Sequence, residues 1–284
     1  INYPVSAGAF DTSHNGGADA FVTKLATGLV AGPPIILVHG WQGSPTNLGN
    51  PTLWRSCSTG IQPYNDSLPT HSRWGIIASG LRDAGYTVYI ANLESSPLYT
   101  PPLEFNALCL RNQVRTVAQA HQEKVTLIGH SMGGLVSRAY IENAILFQDN
   151  VDKVITLGSP HGGVNYTNPL LLIYLACGVQ PAACQFTATG MSLFNTVYNA
   201  RAMGVPYSLI GGVWGDWKSR LIIQTDGPND SVVGLASATG RYWPTGTAVG
   251  GDAVGRFQTY AKHMDEQGYL YDQATLRCIK HRLG

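Results

Sequence analysis

Apolar residues in this chain fall into short continuous runs, separated by stretches in which they recur every three or four positions. Ile35-Ile36-Leu37-Val38, Val125 to Ile128 and Val154 to Leu157 are almost unbroken, and Tyr86 to Ala91 and Pro206 to Val213 nearly as apolar, the pattern of strands buried on both faces. Helical patterns lie between them. Arg73 to Ala84 carries Trp74, Ile77, Ala78 and Leu81 on one face and meets Gly85, a C-terminal stop. Leu103 to His121 carries Leu110, Val114 and Val117 on one face with His121 at its exposed end, and Leu135 to Leu146 is a third helix. Leu221 to Gln224 reads as the last strand. Alternating strand and helix predict a mainly parallel sheet with right-handed crossovers, flanked by helices, in one α/β domain spanning residues 1–284. Ile1 to Gly32 reads as an irregular arm with a short helix near Ala18 to Thr27, and Gln42 to Thr70, rich in proline, as a loop over one edge.

One segment departs from this rhythm. Residues 164–206 contain Pro169 to Leu175, PLLLIYL, then a cysteine loop, then Met191, Leu193, Phe194 and Val197. This is a candidate lid or cap insertion, an apolar flap that shields a site in water and docks on lipid when open. Core-facing helices that never move would show the same pattern, since periodicity does not say which face moves.

The run at Val125 ends in Gly129-His130-Ser131-Met132-Gly133, a match to G-x-S-x-G, and a helical pattern begins at once. Turning a buried strand into a helix with almost no loop strains the middle residue, and the flanking glycines let the two elements pass. Ser131 is thereby pushed out of the sheet edge, with a helix N-terminus aimed at any charge formed there. It is the candidate nucleophile. An ester carbonyl attacked by a serine becomes a tetrahedral oxyanion, which needs two preorganised donors. The amide of Met132, just after the nucleophile, is one candidate; the amide of Trp41, at the end of the His39-Gly40-Trp41 turn, is the other.

A serine nucleophile needs a base, and the base needs an acid to fix its tautomer. In a strand–nucleophile–helix arrangement these follow in the order Ser, Asp, His. Thr225 to Val233 is a turn-rich loop with two carboxylates, Asp226 and Asp230, and spacing alone leaves the choice open. Beyond it the histidines are His263, in a polar loop, and His281, in a basic helix end where it serves the helix dipole. His263 is the candidate base.

Composition narrows the setting. Only 12% of residues are charged and the net charge is +1, so no electrostatic footprint for nucleic acid is present, and no apolar run reaches transmembrane length. The low charge, the abundant glycine and a chain beginning at Ile1 without a leader fit a secreted, processed enzyme. Of five cysteines, Cys177 and Cys184 bracket a short loop suited to a local disulfide, and Cys57 could pair with Cys109, leaving Cys278. Five reduced, buried thiols would be the alternative.

The set ILVHG, YTVYIANL, VTLIGHSMGGLVSRAY, ITLGSPHGG, NDSVV and HMDE, in that order, resembles the secreted bacterial true lipases, the triacylglycerol lipases of the α/β-hydrolase superfamily. It covers residues 34–164 well and 206–270 in patches. The resemblance implies the α/β-hydrolase fold and hydrolysis of lipid or other carboxylic esters by a Ser–His–Asp triad. In that family the acid stands just before a small residue and a Val pair, which selects Asp230. A calcium-binding aspartate follows the family's histidine by two residues, implying Asp265, and the nearest counterpart of its second ligand is Asp216, at a shortened spacing. The chemistry itself requires no cofactor. The family's disulfide ends where this chain has Ala236, and the lid stretch has no match. A polyester or cutin-like hydrolase with Trp41 stacked on substrate, a phospholipase, an acyltransferase and a catalytically silent lipid-binding fold use the same frame. Oligomeric state has no signature in the sequence.

Overall fold

The computed structural model describes residues 32–41, 60–65, 74–95, 99–164, 180–198, 204–214, 227–240, 254–263 and 268–284. All lie in the unit Ala31–Gly284; Ile1–Val30 forms a separate unit, outside the described residues. The elements are β1 (Ile35–Val38), β2 (Gln62–Pro63), α1 (Gly75–Asp83), β3 (Val88–Ile90), α2 (Leu103–His121), β4 (Val125–His130), α3 (Met132–Ile141) and β5 (Val151–Leu157). They continue with α4 (Pro181–Gln185), α5 (Ala188–Val197), β6 (Tyr207–Gly212), α6 (Leu235–Ala238), β7 (Val254–Thr259), a 3₁₀ turn (Tyr269–Tyr271) and α7 (Gln273–Leu283).

Among the described residues the strands form a seven-stranded sheet in the order β2-β3-β1-β4-β5-β6-β7. All pairs are parallel except the edge pair β2–β3. Helices cover both faces, so β1 and β4 are buried along their whole length. Ile36 and Val38 join Leu127, Val154 and Leu209 in a core beneath α2, α3, α4 and α5. Ile35 and Leu37 face the other way, with Ile128, Ile155 and Ile210, beneath α1 and α7. Period-two alternation divides each strand between two cores, which is why its sequence reads as a solid apolar run.

Most boundaries fall where periodicity puts them, with informative differences. α2 begins and ends at the expected residues, but His121 is only half exposed, because its Nε2 meets Tyr89 Oη at 2.8 Å. α3 starts at Met132 and stops at Ile141, earlier than the apolar residues up to Leu146 suggest. The segment read as the last strand, 221–224, lies outside the described residues, and the edge strand on that side is β7, which carries no continuous apolar run. Within 164–206, residues 165–179 and 199–203 are also outside the described residues. The part between them is docked: Ala182, Ala183, Met191 and Phe194 are buried in the larger core, while Leu193 and Val197 are 68% and 70% exposed.

A buried ion pair fastens α5 to the body. Arg138 on α3 makes a two-pronged bond to Glu142, at 2.9 and 3.1 Å, and donates to Asn195 Oδ1 and the Tyr198 carbonyl. Tyr207 of β6 donates to the same Glu142. Every group of this cluster is hydrogen-bonded, the condition under which a buried charge pair is tolerated.

Candidate active site

The turn between β4 and α3 has the strain that the motif demands. Ser131 sits at φ 53°, ψ −122°, a conformation costly for any residue with a side chain. It is held there by close approach on both sides: a Cβ on Gly133 would lie 2.0 Å from the Val38 carbonyl oxygen, and one on Gly129 2.5 Å from the Gly134 nitrogen. The Ser131 amide donates to the Leu157 carbonyl, so β5 fixes the turn from below.

Around this serine the structure gathers residues far apart in sequence. His263 Nε2 lies 2.9 Å from Ser131 Oγ, and His263 Nδ1 lies 2.9 Å from Asp230 Oδ2. A carboxylate only accepts, so Nδ1 carries the proton and Nε2 offers its lone pair to the serine hydroxyl. Asp230 is fully buried. Its Oδ1 accepts from the amides of Val232 and Val233 at 3.0 and 2.7 Å, and its Oδ2 also accepts from Tyr269 Oη at 2.8 Å. The His263 amide donates to the Asp230 carbonyl at 2.7 Å, tying the two loops together by their backbones as well.

The second expected loop is beside the first. A Cβ on Gly40 would lie 2.9 Å from Ser131 Cβ, so the chain after β1 runs against the nucleophile. His39 Nδ1 donates to the Gly40 carbonyl at 2.9 Å, and its Nε2 accepts from the Leu93 amide at 3.3 Å. In a trans peptide the carbonyl of Gly40 and the amide of Trp41 point in opposite directions, so holding one aims the other. Met132 opens α3, where an N–H has no helical partner four residues back. Trp41 is further held by its indole N–H, which donates to Gln180 at the start of α4.

His281 sits on α7, near the chain's end and remote in sequence from these loops. Asp226, Asp216 and Asp265 lie outside the described residues. Cys109 and Cys184 are disulfide-bonded and Cys278 is free; Cys57 and Cys177 lie outside the described residues.

Three contributors have no local signal in the sequence. Tyr269 and Gly158 meet the acid only through the fold: a Cβ on Gly158, just past β5, would crowd Tyr269, Asp230 Oδ2 and His263 Nδ1 at once. The third, His130, lies inside the nucleophile motif. Its Nε2 donates to the His263 carbonyl at 3.0 Å, and the two rings lie 4.9 Å apart. Burial, and after it the neighbouring His263, pushes the His130 pKa down to about 3 from the usual 6.5. His161, buried beside Arg138, is likewise held well below the usual value.

These two imidazoles make the fold acid-sensitive. A histidine neutral in the folded state but free to protonate when unfolded contributes stability above about pH 6.5, and that contribution drains away as pH falls toward its folded pKa. Each should cost up to about 1.4 kcal/mol per pH unit below that point. His130→Gln, which keeps an N–H donor, is expected to flatten the fall in urea-unfolding free energy between about pH 6 and 4 by about one proton's worth. An unchanged slope would show that His130 is not held neutral.

Comparison with known proteins places this geometry. Over 135 residues the chain is 32% identical to a triacylglycerol lipase of Pseudarthrobacter phenanthrenivorans and, over a stretch of the same length, 32% identical to one of Burkholderia plantarii. Each match takes in 48% of this chain but only 35% and 31% of the relatives, so the chain matches about a third of their length. The mature form of Bacillus licheniformis lipase BlEst2 shares the fold, with a TM-score of 0.61 at 19% identity, covering 89% of this chain and 93% of that one. The sheet and its flanking helices are thus an α/β-hydrolase fold. The family model that describes a PGAP1-like alpha/beta domain matches residues 29–174, just over half of the chain, from the approach to β1 through the nucleophile turn to the loop after β5. The chain belongs to the PGAP1-like alpha/beta domain family.

Proposed function

We propose that this protein hydrolyses carboxylic esters, and that its substrates are triacylglycerols or related lipid esters. The observation that carries the reading is the unbroken chain from Ser131 Oγ through His263 to the buried Asp230, with 2.9 Å at each step. Ser131 Oγ attacks the ester carbonyl carbon as its proton passes to His263 Nε2, and Asp230 steadies the resulting imidazolium. The amides of Trp41 and Met132 hold the oxyanion; losing one such donor costs about 3 kcal/mol elsewhere. The tetrahedral species collapses, the C–O bond breaks and His263 hands its proton to the departing alcohol. Water, activated by the same histidine, then releases the acid and restores Ser131.

Lipid as the substrate class draws on the two triacylglycerol lipase relatives and on the apolar side chains that α5 turns to solvent, Leu193 and Val197. The lid belongs to the proposal as residues 164–206, with 180–198 as its anchored base. Secretion is proposed as well, since Cys109 and Cys184 are disulfide-bonded and such bonds persist in oxidising compartments, with pairings Cys57–Cys109 and Cys177–Cys184.

A structural calcium ion on Asp216 and Asp265 completes the reading. Trp214, two residues before Asp216 in the sequence, has its ring 5.9 Å from Lys262 Nζ, three residues before Asp265. Oxygen ligands of this kind suit a hard cation, which would brace the His263 loop and take no part in bond making.

A triglyceride series from short to long acyl chains, above and below substrate solubility, tests substrate class and lid together. A rate jump on emulsions is expected; flat kinetics favouring soluble short esters would mean an open-site esterase and turn the search to polyesters. Chelator should lower the activity and calcium restore it, whereas indifference would remove the metal from the account.

A further inference from the structure

Building on the ester-hydrolase reading of Ser131, we infer that Tyr269 is a positioning residue of the catalytic array, its hydroxyl holding the Asp230 oxygen that receives the His263 N–H. Asp230 Oδ2 takes both bonds, from His263 at 2.9 Å and from Tyr269 at 2.8 Å. The two amides on Oδ1 fix one end of the carboxylate, and Tyr269 stops the other end from pivoting away from the imidazole.

The fold is hollowed out to admit this phenol. At Gly212, the last residue of β6, a Cβ would lie 2.7 Å from Tyr269 Oη and 2.8 Å from Asp230 Cβ. At Gly158, just past β5, one would lie 2.6 Å from Tyr269 Cε2 and 2.7 Å from Asp230 Oδ2. Glycines therefore stand at the end of β6 and just past the end of β5, where the Tyr269 ring and Asp230 meet. The ring is fully buried and stands edge-on to both His263 and His130, with centroids 6.3 and 6.1 Å away. Its own amide donates to the Lys262 carbonyl at 3.1 Å, so one residue braces the acid and closes the loop that carries the base. Burial, and then the charge of Asp230, hold its pKa well above 10, so it remains a donor wherever His263 works.

Removing the hydroxyl leaves that end of the carboxylate free to turn away from the His263 N–H. Tyr269→Phe in the full chain should therefore lower kcat on a soluble short-chain ester about tenfold, the scale of one hydrogen bond to a charged group. KM should stay within about twofold, because no substrate contact is lost. A series of fluorotyrosines at position 269 keeps the ring and grades the donor, so kcat should follow donor strength while KM stays put, which also covers the case in which Tyr269→Phe fails to fold. On an Asp230→Asn background, where no carboxylate remains to position, Tyr269→Phe should cost less than about twofold more.

A kcat indifferent to donor strength, or equal losses on both backgrounds, would reduce Tyr269 to a packing residue. Wild-type protein that neither turns over esters nor takes a phosphonate on Ser131 would instead overturn the hydrolase reading itself.

Discussion

Ser131→Ala is expected to lower ester turnover about 10⁶-fold while the protein keeps its fold, the scale of nucleophile loss in serine hydrolases whose members act as a unit. The hydroxyl makes one hydrogen bond that matters here, to His263, and the strain at Ser131 resides in the backbone. Alanine inherits the same φ and loses only the attacking oxygen. Thermal unfolding within a degree or two of wild type, together with background-level hydrolysis of a chromogenic short-chain ester, is the combined result that checks it. Activity of more than a few per cent would place the nucleophile elsewhere.

The second large effect separates two carboxylates on one loop. Asp230→Asn should reduce kcat about 10⁴-fold, because an amide in place of the acid favours the wrong imidazole tautomer. It should also unfold more easily, since four donors converge on the carboxylate, two on each oxygen, and the amide takes the acceptor away from the two that face its NH₂ group. Asp226→Asn should stay within about twofold of wild type, as the loss of a loop carboxylate with no part in the proton relay. Parallel kinetics and urea melts on the two proteins decide the matter. An Asp226→Asn protein as inactive as Asp230→Asn would overturn the assignment of the acid.

Whether a feature was legible in the sequence depended on how local its cause is. The turn at Ser131 is dictated by its immediate neighbours, because a strand passing into a helix requires glycines where Gly129 and Gly133 stand. It could be read from five residues. β1, β4 and β6 were equally readable, being apolar on both faces because helices cover both sides of the sheet. Among the described residues β7 is an edge strand paired with β6 alone, so VGRFQT lacks the solid apolar run that marks a central strand. Asp230 and Asp226 could not be told apart by spacing, because what distinguishes an acid here is the distance to a histidine 33 residues later. Tyr269, Gly158 and His130 went unread for the same reason: each acts through a contact made only when separate strand ends converge. In α5, buried Met191 and Phe194 alternate with exposed Leu193 and Val197, and hydropathy alone does not separate the two faces.

The arrangement explains the division of labour among the chain's segments. β4, β1 and β5 carry the strained turn at Ser131 and the chain at Gly40 that runs against it. The loops after β6 and β7 bring Asp230 and His263 together, joined by the bond from the His263 amide to the Asp230 carbonyl. Arg138 on α3 ties Asn195 of α5 to this frame.

The central claim is that Ser131 is a nucleophile activated by His263, and a phosphonate ester probe tests it most directly. Wild-type protein incubated with the probe and mapped by peptide mass spectrometry should carry one label per chain, on Ser131, and His263→Ala should label far more slowly. An unlabelled protein that is folded by thermal melt, or a label on another residue, would contradict the account.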